Sequence, residues 1–281
     1  MRHHTPVVLT GLLAAACQAN PVPAVPAAVD VLPFASVEWS PLNPARGKDG
    51  PQAANLWGDR TAPGPAGFLV QFVDGFESPP HIHNVSYRGV VLDGRVHNAD
   101  PNAPELWMST GSYWTQPKGA VHITSASGER NLAYIEIEDG PYLVWPTDAV
   151  FESGEAPINV ATSNLAWVDA PGEHSEDMVP RLAHLWASDG EESIHGTLVD
   201  LPAGFVGTVE SAGGALRAVV VEGSVRLDDA PDRGPSELPA GSTFSSDEPA
   251  ALLLRNTFDR PCLLYIRSGG EAQLASTDPS R

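Results

Sequence analysis

The stretch GFESPPHIHNVSYRGVVLDG, residues 75–94, decides the fold. It places His81 and His83 one residue apart, just before a run of Tyr, Val and Leu that is typical of a β-strand. In a strand, residues i and i+2 point to the same face, so both imidazoles face one side and Ile82 faces the other. Two imidazoles side by side in a protein interior pack poorly unless they bind something, so both are candidate metal ligands.

A second stretch, GSYWTQPKGAVHITSA (residues 111–126), supplies a third histidine. His122 follows a Pro-x-Gly turn and begins another predicted strand. The sequence therefore offers three candidate ligands on two separate strands.

The chain also repeats itself. The segments NLWGD, GFLVQFVDGF and YRGVVLDGRV align with HLWAS, GTLVDLPAGF and LRAVVVEGSV further on. Trp57 pairs with Trp186 and Gly94 with Gly223, which is an offset of 129 in both cases. A duplication of about 120 residues that keeps its turn glycines predicts two copies of one fold.

Each copy consists of short apolar runs such as FLVQFV, NLAYIEIE and ALRAVVVEG, bounded by Gly, Pro, Asp and Asn. With 26 Gly and 27 Pro, and few long amphipathic patterns, the chain favours many short strands and tight turns. We therefore predict an all-β fold, either an antiparallel double-sheet jelly roll or a small barrel. No dinucleotide-binding glycine motif, phosphate loop or nucleophile elbow is present.

Around the first two histidines the chain resembles the cupin superfamily. The family's first motif is Gly, five residues, His-x-His, three or four residues, Glu, six residues, Gly. This chain has Gly75, five residues, His81 and His83, three residues, Tyr87, six residues and Gly94. The glutamate position departs from the motif, because Tyr87 stands there.

The family's second motif also has a counterpart. It is Gly, five residues, Pro-x-Gly, two residues, His, three residues, Asn. Here Gly111, Pro117, Gly119 and His122 hold their places at the right spacing, and Ala126 stands where Asn is common. The SYRGVVLDG and GSYWTQPKGAVH stretches look like a bacterial family of two-domain cupins of unassigned activity, related to the cupin domain of a zinc-binding anti-sigma factor.

The resemblance implies two tandem cupin domains, each a double-stranded β-helix or jelly roll. It implies that His81, His83 and His122 hold a divalent transition metal, with Fe(II) or Zn as the first expectation and Mn, Ni or Cu as alternatives. Three imidazoles would leave open positions for water or substrate. Cupins often form homodimers, so a homodimer is one arrangement that the resemblance suggests.

Two further residues are candidates for catalytic roles. A tyrosine has a pKa of about 10 and is normally neutral, so we expect Tyr87 to point into the cavity and hydrogen-bond to a metal-bound water or to substrate. Glu136 shares a strand face with Tyr134, and we predict that it supplies the missing carboxylate or a general base if that face looks inward. An outward, solvated glutamate is the alternative.

The second copy has lost the ligand set. Glu210, Ala212, Leu216 and Leu252 stand at the positions of the three histidines and Tyr87. We therefore expect a degenerate second barrel without metal ligands.

The N-terminus is typical of an export signal. PVVLTGLLAAAC follows Arg2 and is too short to span a bilayer as a stable anchor. The ending LLAAAC resembles a bacterial lipoprotein processing box, in which Cys17 would be acylated, although Ala14 stands where leucine is usual. Secretion with cleavage nearby is the alternative. The predicted divisions are a signal peptide (1–16), a lipidated cysteine with a Pro/Ala linker (17–34), a metal-binding cupin domain (35–160) and a degenerate cupin domain (161–275).

Charge and cysteine content limit the partners. A formal net charge of -19 with no Lys/Arg cluster argues against nucleic-acid binding. We expect membrane contact only through Cys17, and location in the cell envelope as a periplasmic or outer-membrane lipoprotein. Cys262, in the apolar run PCLLYI, is predicted to be a buried, inert thiol.

Three functions are consistent with these features, two of them enzymatic and one non-catalytic. The leading hypothesis is an Fe(II)-type oxygenase that acts on a small-molecule substrate. A zinc-dependent hydrolase or isomerase would use the same histidines with Glu136 as its base. The alternative from another class is a non-catalytic cupin lipoprotein that binds a metal or a small ligand.

Overall fold

Strands dominate the chain. The structure is a computed structural model, and it describes residues 28–276 apart from 173, 175–177, 191–192, 212, 229–235 and 257. The strands up to the middle of the chain are β1 (Asp30–Leu32), β2 (Ser40–Pro41), β3 (Gln52–Trp57), β4 (Ala66–Phe72), β5 (Ile82–His83), β6 (Tyr87–Ala99), β7 (Met108–Ser109), β8 (Tyr113–Gln116), β9 (Ile123–Ile137), β10 (Val144–Trp145) and β11 (Ile158–Val160).

The second half of the chain is built in the same way. Its strands are β12 (Val168–Asp169), β13 (Arg181–Ala187), β14 (Ile194–Leu201), β15 (Val206–Ser211), β16 (Leu216–Glu222), β17 (Ser224–Leu227), β18 (Ser236–Pro239), β19 (Thr243–Ser246), β20 (Ala251–Arg255), β21 (Cys262–Gly269) and β22 (Ala272–Ser276). Short 3-10 helices are η1 (Phe34–Ser36), η2 (Pro44–Asp49), η3 (Thr147–Ala149) and η4 (Thr162–Asn164). No helix among the described residues has the length and apolar character needed to cross a bilayer.

The strands form two antiparallel jelly-roll barrels, which confirms the predicted fold class. The first barrel has an eight-stranded sheet in the order β11-β8-β6-β9-β4-β3-β2, with β7 paired to β6 and a separate β10-β5 ribbon. The long strands β6 and β9 pair with each other along most of their length and bend at register shifts, so they contribute to both layers. In the second barrel a seven-stranded sheet, β1-β19-β16-β21-β14-β13-β12, packs on a five-stranded one, β18-β17-β20-β15-β22.

Three hydrophobic cores hold this arrangement together. One fills the first barrel and includes Phe68, Trp114 and Ile135. A second fills the second barrel, and a third lies between the two barrels and includes Tyr134 and Tyr265. Both faces of the central strands are therefore buried, one against the barrel interior and the other against the opposite barrel.

The two barrels exchange strands. β1 precedes the first barrel in the chain but pairs with β19 of the second, with Val31 opposite Phe244. β11 precedes the second barrel but pairs with β8 of the first. Within the segment that we expected to be a linker (17–34), residues 30–32 thus form a strand of the second barrel, and η1 begins at Phe34. Cys17 and the predicted signal peptide lie outside the described residues.

Matching tryptophans line the interface between the barrels. Trp57 Nε1 donates to Tyr134 Oη at 3.0 Å, and its repeat partner Trp186 donates to Tyr265 Oη at 3.1 Å. The Arg88 guanidinium lies 3.7 Å from the Trp186 ring centroid, in the opposite barrel. The duplication therefore produces an interface with approximate two-fold symmetry, as in a homodimer.

Candidate metal centre

The structure brings the three predicted ligands together. The backbone N–H of His81 donates to the carbonyl oxygen of His122 at 3.0 Å, and the reverse bond has the same length. His83 lies two residues further on, in β5. One ring nitrogen from each histidine lies within 4.8 Å of those of the other two. His83 and His122 are buried, and His81 is half-buried at the mouth.

Backbone carbonyls set the tautomer of all three rings. Each imidazole donates its Nδ1 proton to a carbonyl oxygen, the pairs being His81 with Pro79 (2.9 Å), His83 with Leu143 (3.0 Å) and His122 with Ala120 (3.3 Å). A carbonyl oxygen only accepts, so the proton resides on Nδ1. Each Nε2 therefore keeps a lone pair, which is the arrangement that metal-binding histidines use.

The cavity also keeps the rings neutral. Burial lowers the pKa of His122 to about 3, with a smaller contribution from the charge of His81. Burial, followed by the neighbouring imidazoles, lowers the pKa of His83 well below its usual value. Burial lowers the pKa of His81 as well. Neutral imidazoles with unprotonated Nε2 atoms fit a divalent transition metal, because ligands must be deprotonated to bind.

Tyr87 occupies the glutamate position and lies in the same cavity. Its Oη donates to Asn98 Oδ1 at 3.0 Å and lies 3.5 Å from His122 Nε2. Asn98 is held in turn, because Thr124 donates to its Oδ1 at 2.8 Å and it donates to Gln116 at 3.0 Å. Burial raises the pKa of Tyr87, so the hydroxyl stays protonated. It is therefore a hydrogen-bond donor with a fixed orientation.

Tyr142 forms another wall of the site and was not predicted. Its ring stacks on His83 with centroids 4.3 Å apart, and its hydroxyl donates to His83 Nε2 at 3.1 Å. Asn84 fixes this segment by donating to Pro141 O at 2.9 Å and accepting from Leu143 N at 2.8 Å. The residue that follows β5 and the segment after β9 therefore position each other.

The structure corrects the expectation for Glu136. Ile135 and Ile137 of β9 face the barrel interior, so Glu136 points the other way, towards the second barrel. It is buried, accepts a hydrogen bond from Tyr134 at 3.1 Å, and lies 3.5 Å from Arg267 Nη1. It supplies neither a fourth ligand nor a general base at the histidines.

The second barrel offers no comparable site in the part of the chain that the structure describes. Leu216 and Leu252 are buried in its core, and Glu210 lies in β15. Ala212 lies outside the described residues. Among the described residues, the three histidines form the one group of potential ligands close enough to share an ion.

The cavity lined by His81, His83 and Tyr87 is small. Its volume is about 70 Å³. Its walls are largely apolar, with Val70, Phe72, Phe76, Trp114, Ile135, Tyr142 and Val144 among the lining residues. Counting roughly 10–15 Å³ for each water, the space holds about five water-sized groups.

An all-β fold of two jelly rolls, with three histidines converging in one of them, is a cupin fold with a candidate metal site. The chain belongs to the family described as a domain of unknown function (DUF4437), which matches residues 30–275. No curated protein is similar enough in sequence to be matched.

Solved structures show the same fold. A candidate dioxygenase from Nostoc punctiforme has a TM-score of 0.64 and 14% identity, covering 91% of this chain and 88% of that one. An oxalate decarboxylase from Lactobacillus farciminis has a TM-score of 0.54 and 13% identity, covering 88% of each chain. AerE from Microcystis aeruginosa has a TM-score of 0.54 and 10% identity, covering 84% of this chain and 96% of that one.

Sequence reasoning missed Asn98 and Tyr142 for different reasons. Asn98 lies eleven residues after Tyr87 on the same strand, an odd spacing that predicts opposite faces. Two register shifts in β6 and its bend between layers bring them together instead. Tyr142 lies in an irregular segment, where no periodicity indicates direction.

Proposed function

We propose that this protein is a metal-dependent oxygenase with an Fe(II)-type centre, acting on a small organic molecule. One observation carries the proposal: three neutral imidazoles, each with its Nδ1 proton engaged by a backbone carbonyl, bring one ring nitrogen each within 4.8 Å of one another. When bound, a divalent ion would supply a Lewis acid and a common binding place for substrate and dioxygen.

The surrounding side chains would orient the substrate. Tyr142 donates to the Nε2 of His83, so its hydroxyl is free to turn to a ligand once that lone pair is taken. The Tyr87 hydroxyl is held beside His122 by Asn98. The two rings lie with their centroids 5.7 Å apart, and either hydroxyl would donate to a substrate oxygen only by leaving its present acceptor, Asn98 Oδ1 or His83 Nε2, without adding charge. The apolar walls exclude bulk water.

The absence of a carboxylate from the cavity lining disfavours the hydrolytic alternative. A zinc-dependent hydrolase or isomerase needs a group that accepts a proton near pH 7. Glu136 was the candidate, and it lies on the far side of β9. Of the described residues that line the cavity, none is an aspartate or glutamate. An oxygenase in which the substrate arrives ionised needs no protein base.

The structural neighbours are compatible with redox and decarboxylation chemistry alike. One is described as a candidate dioxygenase, and oxalate decarboxylase from Bacillus subtilis is described with Mn(II) centres. Fe(II) is our first choice of metal, with Zn, Mn, Ni and Cu as alternatives. Kinship with the cupin domain of a zinc-binding anti-sigma factor stays a prediction.

Elemental analysis of gently purified protein tests the centre. We expect about one divalent ion per chain in the wild type and loss of that ion in His83→Ala. His184→Ala is the matched control, because His184 is exposed on β13 of the other barrel. Equal metal content in all three proteins would contradict the site.

Oxygen uptake tests the reaction. Anaerobically purified, iron-loaded protein should consume oxygen with at least one member of a panel of diketones, thiols, phenols and small organic acids. Metal binding without uptake would favour the rival function, a non-catalytic metal- or ligand-binding cupin.

Location is a separate proposal. We propose that Cys17 carries a lipid that holds the protein in the cell envelope, as LLAAAC suggests. Cys17→Ser should move the protein from the membrane fraction to the soluble fraction of exported proteins. An unchanged distribution would contradict lipidation.

A further inference from the structure

One positive charge lies at the mouth of the cavity, and no side chain that the structure describes forms an ion pair with it. This charge is that of Arg46, in η2, which lines the cavity. The lining residues that the structure describes include this exposed arginine and no aspartate or glutamate, so their charge favours an anion in a protein with a net charge of -19.

The ligand set adds to this positive potential. Three imidazoles contribute no negative charge, and the residue in the usual glutamate position is Tyr87, whose hydroxyl donates to Asn98 Oδ1 and is therefore protonated. A divalent ion held by this set would therefore keep its full charge of two. With tyrosine in place of the usual carboxylate, the binding of an anion from solution to this site becomes more favourable.

A buried donor inside the cavity lacks an acceptor. The Trp114 side chain is 1% exposed and lines the cavity, and its Nε1–H makes no hydrogen bond in the described part of the chain. The ring cannot easily turn away, because it packs so closely on Gly89 that a Cβ there would lie 2.2 Å from it. The Tyr87 hydroxyl lies near the indole N–H, and a hydrogen bond from Trp114 would lower the pKa of Tyr87, but the geometry between the two groups does not meet that of a hydrogen bond. A buried N–H without a partner is costly, so an acceptor from a ligand is expected.

We propose that the ligand of this site is a small carboxylate, whose charge is matched by Arg46 and one of whose oxygens accepts a hydrogen bond from Trp114 Nε1. The inference rests on the proposed metal centre and names the substrate class of that centre. The cavity volume of about 70 Å³ limits the part of the molecule that enters to a few non-hydrogen atoms.

Acetate and its neutral isostere acetamide are suitable probes, because they match in size and differ in charge. Both are titrated calorimetrically into zinc-loaded wild type, which has no redox turnover to complicate the measurement. We expect acetate to bind at least about tenfold more tightly than acetamide, as a charge-assisted interaction outweighs a neutral one.

Two variants separate the contributions. Arg46→Gln should weaken acetate binding roughly 5- to 20-fold and leave acetamide unchanged, because it removes only the charge. Trp114→Phe should weaken both probes roughly 3- to 10-fold, because it removes a donor that serves either oxygen. Arg130→Gln is the matched control, since Arg130 is exposed and pairs with Asp93 outside the cavity.

The outcomes distinguish this inference from the proposed function. If the wild type takes up zinc but binds acetate no better than acetamide, or if Arg46→Gln behaves like the control, the carboxylate assignment is overturned and the metal centre stands. If the wild type takes up no zinc by elemental analysis, the proposed function falls and the inference falls with it. Retained zinc in both variants, together with the expected losses of acetate affinity, would support it.

Discussion

Removing Arg267 should destabilise the protein more than removing any exposed arginine. Its side chain is 9% exposed, and it donates two hydrogen bonds of 2.8 Å to Glu138. It also lies 3.5 Å from the Oε1 atom of Glu136, a carboxylate that is 1% exposed. Without Arg267, the remaining positive charge near Glu136 is Arg88, at 3.7 Å and 26% exposed.

The expected cost of Arg267→Met is about 3–5 kcal/mol of unfolding free energy at pH 8, because breaking a buried pair leaves a carboxylate uncompensated. Methionine keeps most of the apolar stem, so little of this cost is lost packing. Arg130→Met is the matched control, since Arg130 and Asp93 form an exposed pair that contributes about 0–1 kcal/mol. Adding Glu136→Gln to Arg267→Met should restore part of the loss.

The loss of unfolding free energy in Arg267→Met should become smaller as the pH falls. Burial raises the pKa of Glu136, and Arg267 is the strongest influence that opposes the rise. In Arg267→Met the pKa of Glu136 rises further above its unfolded value. The folded variant then binds a proton that the unfolded chain does not, so its stability relative to wild type increases as pH falls through that range.

Urea unfolding followed by tryptophan fluorescence, at pH 8 and pH 5.5, measures both effects. We expect the difference between wild type and Arg267→Met to shrink by at least about 1 kcal/mol at the lower pH. Two results would refute the reasoning: a cost no greater than that of Arg130→Met, or an equal cost at both pH values.

The other predictions concern the strand exchange, the site and the thiol. Val31→Asp places a charge in the core of the second barrel and should cost at least about 3 kcal/mol in urea unfolding; a cost under 1 kcal/mol would contradict the exchange. Tyr87→Phe should keep fold and metal, lose about 1 kcal/mol because Asn98 loses a donor, and lower activity; metal loss equal to that of His83→Ala would show that the tyrosine is a ligand. Asn84→Ala should lower zinc affinity roughly tenfold in a chelator competition, by freeing the segment that orients His83. Burial raises the pKa of Cys262 to about 12, so in a Cys17→Ser background it should react with a thiol reagent at pH 8 only after unfolding.

Much of the fold could be predicted from local patterns. Apolar runs bounded by Gly and Pro predicted the strands, and the repeat predicted two copies of one fold. The His-x-His spacing predicted a shared face for His81 and His83, and the structure brings both to His122. These features depend on strand alternation and turn chemistry, which act over a few residues.

The face of Glu136 could not be predicted in this way. Alternation pairs it with Tyr134 and separates it from Ile135, but it does not say which face looks inward. Hydrophobicity usually decides, because the solvent face is polar. Here both faces of β9 are buried, one in the first barrel and one against the second. The hydrophobic pattern therefore does not indicate which face looks into the first barrel.

The sequence by itself determined an all-β protein with two copies of one fold, and the histidines that can hold a metal in the first copy. Tertiary structure alone decided which barrel each exchanged strand completes, and that Glu136 serves the interface while Tyr142 and Asn98 serve the site. The physical reason is the range of the interactions. Strand alternation and turns are encoded between neighbours in the chain, whereas pairing across barrels, bends in β6 and the packing of an irregular segment depend on contacts between residues that are distant in sequence.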